Sequence, residues 1–311
     1  MDQPTRDPKS ACSTLWGALP AWGSATRANF WVAVEQAGPW GRDALTQSHL
    51  DPQVGARLAA AAAGAGGRVL LIRAPGAHSD RSRSASRQVF VAGALSGRPW
   101  LLSGRIDDPA ELEALPWHEL SAGGVDVARE ACSWLRRAEA PVLLVCANSK
   151  RDVCCALKGR PVAHGVADQR PGQVWECSHT GGHRFAPTGI VLPLGQMLAR
   201  LTPELGVQVL DAAASGRLAV GTLDEHHDRG VSHLAPRAQA AVSWVRATEG
   251  ETDPAALTVL DGADSVTVHH IDGRTWELVP EQSLGEDLPE SCGKAPKPAV
   301  TWTVGPLAPR A

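Results

Sequence analysis

The chain has 311 residues, which is long enough for two domains or one large one. Hydrophobic residues make up 43% of it and charged residues 20%, a composition typical of globular proteins. The formal net charge is −3, and lysine and arginine are scattered along the chain, which argues against a nucleic-acid partner because such a partner requires a basic face.

No export or membrane segment is expected. The first twenty residues lack the basic stretch followed by an apolar stretch that marks a secretory signal. The longest apolar run, LAAAAAGAG at 58–66, is too short and too weakly apolar to span a bilayer. We therefore expect a soluble, cytoplasmic protein with no membrane partner. In such a reducing compartment the seven cysteines are expected to be ligands or thiols rather than disulfides.

The first half of the chain alternates strand and helix patterns. Apolar runs and breakers predict, in chain order, a strand at 28–35, a helix from Ala44 to Ala63, a strand at 68–76, a mobile polar loop at 77–86 and a hairpin of strands at 87–95 and 98–106. The glycines of GAGG at 64–67 end the helix. A further helix follows the hairpin, with Asp107 or Asp108 as its cap.

The second half repeats this order. It is predicted to contain a strand at 141–146, a helix from Val153, strands at 173–180 and 189–195, and a helix from Pro203 to Ala214. Arg42-Asp43 and Arg151-Asp152 fall at matching points, each after a strand and loop and before a helix. This match indicates an internal duplication at a spacing of roughly 110 residues.

Beyond residue 220 the pattern is less regular. It predicts an amphipathic helix at 233–247, a hairpin at 265–280 that turns at Asp272-Gly273, and a last short strand at 299–304. We expect these elements to pack on the second unit as an annex rather than to form a domain of their own.

Cysteine and histidine pairs in the second half form the most concentrated set of metal-binding side chains in the sequence. Cys146 ends a predicted strand, and the segment CANSKRDVCC continues to Cys154 and Cys155 at the start of a helix. His179 and His183 flank Thr-Gly-Gly, whose glycines let the loop fold tightly. In open α/β sheets, sites form at the carboxyl ends of strands. Thiolates and imidazoles suit zinc or an iron–sulfur cluster rather than magnesium or calcium.

The spacing alone leaves open which cysteines bind. Cys154 and Cys155 are neighbours, and neighbouring side chains usually point apart, so one of them is expected to ligate and the other to pack. Cys177 and His179 form Cys-x-His, half of a Rieske box, but the other half, Cys-x-x-His, is absent from the chain. The favoured interpretation of Cys177 is a small buried residue beneath the site.

Together these segments resemble the sucrase/ferredoxin-like family, which includes thioredoxin-like ferredoxins akin to the fungal actin-patch-distribution protein. The resemblance is carried by Cys146, by Arg151-Asp152-x-x-Cys155 and by His179-Thr-Gly-Gly-His183-Arg-Phe-Ala. It extends to GPWGRDAL at 38–45, RPVAHGVA at 160–167 and LAPRAQAA at 234–241, and so covers most of the chain.

The resemblance implies an α/β fold of the thioredoxin-like ferredoxin type. On the basis of this resemblance, we expect residues 1–125 to form a thioredoxin-like unit without ligands and residues 126–220 to form the unit that carries the cofactor. Residues 221–311 are expected to form the helical and β annex. It also implies a [2Fe–2S] cluster whose ligands are Cys146, Cys155, His179 and His183. One departure from the family pattern is Cys154, an extra thiol that leaves room for a ligand swap.

The expected function is electron transfer or redox sensing rather than enzymatic catalysis. Two histidines on one iron raise the reduction potential from about −400 mV toward roughly −150 to +300 mV in Rieske centres. Arg184, next to His183, is expected to stabilise the reduced cluster. The expected partner is a redox protein of unknown identity, and the chain is expected to be a monomer or homodimer.

Two other functions stay open. A structural zinc site would close the same two cysteines and two histidines into a tetrahedron without redox chemistry. A thiol–disulfide oxidoreductase would use Cys154 and Cys155, or Cys177, but the chain lacks the usual Cys-x-x-Cys motif. No convincing pair of acids is placed for glycoside hydrolysis, so the "sucrase" of the family name has no support in these residues.

Overall fold

Strands from both halves of the chain form one continuous mixed sheet of ten strands, and a second, antiparallel sheet of four strands lies in the C-terminal part. The structure is a computed structural model, and it describes residues 11–76, 86–122 and 124–307. The fold is mixed α/β, as the alternating patterns predict. Most of the loop predicted at 77–86 lies outside the described residues. Within the described part, no helix is both long and apolar enough to cross a membrane.

The strands of the first half lie where the apolar runs predict them. In chain order this half contains α1 (Cys12–Leu15), β1 (Trp31–Glu35), α2 (Pro52–Gly64), β2 (Arg68–Arg73), β3 (Arg87–Gly93), β4 (Trp100–Ile106) and α3 (Val125–Ala131). β1 and most of β2 are buried on both faces, which explains why their sequences are continuous apolar runs. Asp108 caps the segment after β4 as predicted, but that segment is a short 3-10 helix, Pro109–Ala114.

The helix predicted from Ala44 begins only at Pro52, so the first part of that prediction is wrong. Asp51 is the cap, and its side chain accepts a hydrogen bond from the backbone N of Gln53 at 2.7 Å. A proline in the first turn suits this start because its missing N–H would have no partner there. Residues 43–50 form turns and bends instead. The Asp-Pro start signal therefore outweighs the helix-compatible residues before it.

The second half follows the predicted order with two short additions. It contains β5 (Arg136–Arg137), β6 (Val142–Cys146), α4 (Val153–Ala167), β7 (Val174–Cys177), β8 (Gly189–Leu192), β9 (Gln196–Leu198) and α5 (Pro203–Ala214). The bounds of α5 match the prediction. β5 and β9 escaped prediction because strands of two or three residues are too short to show a repeating pattern.

The two halves share one pairing pattern. β1 runs parallel to β2 and antiparallel to β3, which pairs with β4. In the same way β6 runs parallel to β7 and antiparallel to β8, which pairs with β9. The equivalent strands β2 and β7 then pair antiparallel, with Ile72 opposite Cys177. Antiparallel pairing of equivalent strands is what an approximate two-fold axis between two duplicated units produces.

The C-terminal part contributes to both sheets. It contains β10 (Asp228–Val231), α6 (Pro236–Glu249), β11 (Leu257–Asp261), β12 (Val266–His270), β13 (Thr275–Leu288) and β14 (Lys297–Pro306). β10 pairs with β9 at the edge of the large sheet, and β12 and β13 form the hairpin predicted around Asp272-Gly273. α6 covers the small sheet through a core that includes Val245 and Val268.

Candidate metal centre

The carboxyl end of β6 and the first turn of α4 bring two cysteines together. Cys146 is the last residue of β6 and is fully buried. α4 follows Asp152, whose side chain accepts a hydrogen bond from the backbone N of Cys154 at 2.8 Å. Cys155 lies in this first turn, where unpaired N–H groups favour a negatively charged side chain. Contact with Cys146 and burial oppose this effect of the helix start and raise the pKa of Cys155.

α4 packs closely on β6 because Gly159 has no side chain. A Cβ at Gly159 would overlap the carbonyl oxygen of Cys146. Glycine inside a helix costs about 1 kcal/mol relative to alanine, so its presence here needs a packing reason. The reason is the approach of the helix to the end of β6, which sets the distance between Cys146 and Cys155.

The loop between β7 and β8 presents the two histidines on the same side. Gly181 and Gly182 both have left-handed backbone conformations, with φ of +78° and +71°. Two such residues in succession strongly favour glycine, as the tight Thr-Gly-Gly turn predicts. The rings of His179 and His183 consequently stack, with centroids 4.6 Å apart and planes 21° from parallel.

Buried polar contacts fasten this loop to the rest of the protein. The hydroxyl of Thr26 donates to the carbonyl of Thr180 at 2.8 Å, and the hydroxyls of Thr180 and Thr188 lie 3.1 Å apart. Arg229, on β10, donates to the carbonyl of Gly181 at 3.1 Å. The histidine loop is therefore held from the segment before β1 and from the sheet edge, neither of which adjoins it in sequence.

Pairwise side-chain contacts link the four predicted ligands between β6, α4 and the histidine loop. The Sγ of Cys155 is 3.2 Å from the Nδ1 of His183. Cys146 contacts both Cys155 and His179. The tightest potential metal-binding group in this place consists of Asp152, Cys155 and His183, whose ligand atoms lie within 4.8 Å of one another. Sequence reasoning did not include Asp152, which its spacing identifies only as a helix cap.

Burial and contacts among these side chains shift their pKa values in different directions. Contact with the Cys155 thiol and with His179, against the effect of burial, lowers the pKa of Cys146. The same thiol contact, with burial, raises the pKa of Cys155. Burial also lowers the pKa of His183, which favours the neutral imidazole that metals bind. These shifts favour a thiolate at Cys146 and a neutral imidazole at His183.

The two sides of the centre differ in their access to solvent. Cys146 and Cys155 are both 0% exposed, whereas His179 and His183 are partly exposed. A cleft of about 400 Å³ opens beside His179 and is lined in part by Arg151. The histidine side is therefore the side of the centre that is open to solvent.

The remaining cysteines named from the sequence have different surroundings. Cys177 is fully buried, lies opposite Cys146 in the β6–β7 pairing and shares its apolar core, which agrees with the small buried residue predicted. Burial raises the pKa of its thiol. Cys154 turns away from Cys155, and its Sγ lies 3.5 Å from that of Cys12 and 3.1 Å from that of Cys292. It therefore packs among other thiols and beside the apolar side chain of Ala186.

Arg184, which is expected to stabilise a reduced cluster, contacts an acidic side chain and two aromatic rings. Its guanidinium pairs with Glu290 at 3.2 Å and lies 4.7 Å from the ring of Trp16 and 4.8 Å from the ring of Phe185. Its side chain is 19% exposed. It joins the histidine loop to the N-terminal helix and to the segment before β14.

Arg229 is the buried cation nearest to the thiols. Burial lowers its pKa to about 9, and attraction to Cys146 and Cys155 opposes that shift, so the guanidinium is charged at neutral pH. Sequence reasoning missed it because nothing in the local pattern of β10 indicates contact with a loop 48 residues earlier. A single buried arginine in a short strand offers no sequence signal of its own.

Comparison with known families agrees with this geometry. The profile of the sucrase/ferredoxin-like family matches residues 21–222. The chain belongs to the sucrase/ferredoxin-like family. No curated protein and no solved structure matches it significantly. The matched region of this sucrase/ferredoxin-like protein contains all four predicted ligands, whereas Cys12 and Cys292 lie outside it.

The segment GPWGRDAL at 38–45, part of the resemblance to the sucrase/ferredoxin-like family, supports the loop that precedes α4. The carbonyl of Gly41 accepts a hydrogen bond from the side-chain N of Asn148 at 2.9 Å. Asp43 pairs with Arg151 at 3.2 Å. In this family member the first half of the chain therefore braces the loop that connects Cys146 to Cys155.

Proposed function

We propose that this sucrase/ferredoxin-like protein is a [2Fe–2S] redox protein, an electron carrier or redox sensor, with Cys146, Cys155, His179 and His183 as ligands. The observation that carries the proposal is the meeting of two fully buried cysteines with two stacked, partly exposed histidines. Such a cluster, when bound, takes up and returns one electron. The donor set fits it because two thiolates and two neutral imidazoles supply four protein ligands.

The finer fold assignment is also a proposal. We propose that the large sheet consists of two thioredoxin-like units, of which the second carries the cofactor. The support is the order strand–helix–strand–strand–strand–helix in each half, with identical pairing among the four principal strands. The pairing of β2 with β7 joins the two units into one sheet.

The surroundings of the proposed ligands suit a redox site. Burial of Cys146 and Cys155 keeps water from the thiolates, and the charge of Arg229 offsets part of their negative charge. The partly exposed rings of His179 and His183 can exchange protons with solvent. Electron exchange with a partner protein is expected on the same side, at the cleft beside His179.

Anaerobic purification of the full chain tests this function. We expect a red-brown protein with about two irons and two acid-labile sulfides per chain, both lost in Cys146→Ser. A colourless protein without sulfide, whose zinc disappears in Cys146→Ser, would show that the centre is a structural zinc site. Counting iron, sulfide and zinc in the same sample separates the two results.

A further inference from the structure

Three cysteines from distant parts of the chain meet on the other side of the α4 N-terminus. Cys12 comes from α1, Cys154 from the first turn of α4, and Cys292 from the connection between β13 and β14. Their sulfur atoms are 3.1, 3.5 and 3.6 Å apart. Cys12 and Cys154 are buried, and Cys292 is partly exposed.

A carboxylate completes this group. The Oδ2 of Asp152 lies 3.9 Å from the Sγ of Cys12, and the ligand atoms of all four residues lie within 4.8 Å of one another. The same oxygen accepts hydrogen bonds from the hydroxyl of Ser291 at 2.8 Å and from the backbone N of Cys292 at 2.9 Å. The segment that carries Cys292 therefore orients Asp152 toward the thiols.

The spacing of the sulfurs fits one shared metal ion better than the alternatives. Ligands about 2.3 Å from a tetrahedral zinc ion lie about 3.8 Å from one another, close to the separations here. A disulfide would require about 2.05 Å between two sulfurs and would leave the third thiol unpaired. The thiolates of an iron–sulfur cubane bind different irons, which places them farther apart than three sulfurs that share one ion.

The charges of the group lead to the same assignment. Three sulfurs and a carboxylate packed this closely in a largely buried place cannot all be ionised unless a cation lies among them. Soft thiolate ligands with tetrahedral spacing select zinc among the common divalent ions. We propose that Cys12, Cys154, Cys292 and Asp152 bind a zinc ion at a second centre, distinct from the one formed by Cys146, Cys155 and the histidines.

The zinc ion at this second centre is structural, because its ligands link three segments that are far apart in the sequence. It joins α1 and the β13–β14 connection to the helix that presents Cys155. Trp16 reinforces this link, since its indole N donates to the carbonyl of Pro289 at 3.0 Å and its ring packs edge-on against Phe185 of the histidine loop. Loss of the ion would release both chain ends from the neighbourhood of the redox centre.

Metal counting on purified full-length protein tests the proposal independently of the iron–sulfur assignment. We expect about one zinc per chain in the wild type. Cys146→Ser should retain that zinc, whereas Cys12→Ser and Cys292→Ser should lose it. Cys132→Ser is the matched control, because Cys132 is also buried but lies in the core of the first half. Zinc retained in both Cys12→Ser and Cys292→Ser would overturn the proposal.

A measurement on the wild type keeps the proposal testable if those variants fail to fold. X-ray absorption at the zinc edge should report three sulfur ligands and one oxygen ligand. Two sulfurs with two imidazole nitrogens would place the zinc at the Cys146 centre and overturn the second centre. Protein with iron and sulfide but without zinc, or with a mass lower by two hydrogens from a Cys154–Cys292 disulfide, would overturn it while leaving the proposed redox function intact.

Discussion

The first turn of α4 presents two adjacent thiols in opposite directions. Cys155 faces His183, while Cys154 faces Cys12 and Cys292. A capped helix start holds both orientations at once, because the Asp152 side chain fixes the backbone between them. Two consecutive residues therefore belong to different proposed centres: Cys155 to the redox centre and Cys154 to the zinc centre.

Serine substitutions should distinguish the ligand thiols of the redox centre. We expect Cys146→Ser and Cys155→Ser to lose the cluster, because a hydroxyl replaces a soft thiolate at a buried ligand position. Cys154→Ser, Cys292→Ser and the buried control Cys177→Ser should retain it. Iron, sulfide and visible absorption measure the outcome. Loss in Cys154→Ser with retention in Cys155→Ser would show that the assignment is wrong by one residue.

Replacement of one histidine by cysteine should lower the reduction potential where the cluster survives. His179→Cys or His183→Cys exchanges a neutral imidazole for a thiolate, which adds negative charge and disfavours a further electron. A shift on the order of 100 mV is expected. Film voltammetry of the wild type and both variants would measure it, and an unchanged potential in both variants would remove the histidines from the ligand set.

The wild-type potential should also depend on pH. Reduction makes the ligand imidazoles more basic, so proton uptake accompanies electron uptake and the potential falls as pH rises through their titration. His179→Cys or His183→Cys should weaken this slope. Measurements between about pH 5 and pH 10 bracket imidazole ionisation. A potential that is flat over the whole range would contradict histidine ligation.

The packing of helix on strand sets the geometry of the cysteine pair. α4 can approach the end of β6 because Gly159 leaves room for the Cys146 carbonyl. The histidine loop depends in the same way on Gly181 and Gly182, whose positive φ values allow its tight turn. In both places a glycine backbone, which allows close packing or a tight turn, determines where the neighbouring cysteine and histidine side chains lie.

Alanine at Gly159 should destabilise the protein even though alanine is the better helix former. Helix propensity would favour the change by about 1 kcal/mol, but overpacking typically costs about 1–3 kcal/mol. The clash here is with the backbone carbonyl of Cys146, which cannot rotate away, so the cost belongs at the upper end and a net loss is expected. Gly64→Ala is the matched control, since Gly64 ends α2 and a Cβ there meets nothing within 4 Å. Chemical denaturation should show a lower midpoint for Gly159→Ala only; equal midpoints would argue against close packing.

The join between the two halves holds a buried ion pair. Arg73 of β2 and Glu176 of β7 are 2.9 Å apart, with side chains 5% and 0% exposed. Burial lowers the pKa of Arg73, and the charge of Glu176 opposes this shift. The ring of Trp40 lies 4.2 Å from the same guanidinium. The seam of the large sheet, where β2 pairs with β7, therefore contains an ion pair that has little access to water.

Removing one member of this pair should be costly. Arg73→Leu removes one member of a buried ion pair, which is expected to reduce the free energy of unfolding by about 3–5 kcal/mol. The exposed pair Arg170–Asp211 serves as the comparison, and Arg170→Ala should cost at most about 1 kcal/mol. Urea denaturation of both variants measures the difference. Similar losses in both variants would mean that the seam pair is not effectively buried.

Local sequence predicted much of this protein, whereas its two centres depend on contacts between distant segments. Apolar runs and caps identified the principal strands and the bounds of α5, because these signals act over a few residues. The spacing of cysteines and histidines indicated a metal centre, and the family resemblance supplied the choice of Cys146, Cys155, His179 and His183 as its proposed ligands. The roles of Arg229, Cys12 and Cys292 were not predictable, since each reaches its partners only after the sheet and the chain ends have packed. The tertiary structure decided them because side chains far apart in sequence meet only when burial of apolar surface brings their elements together.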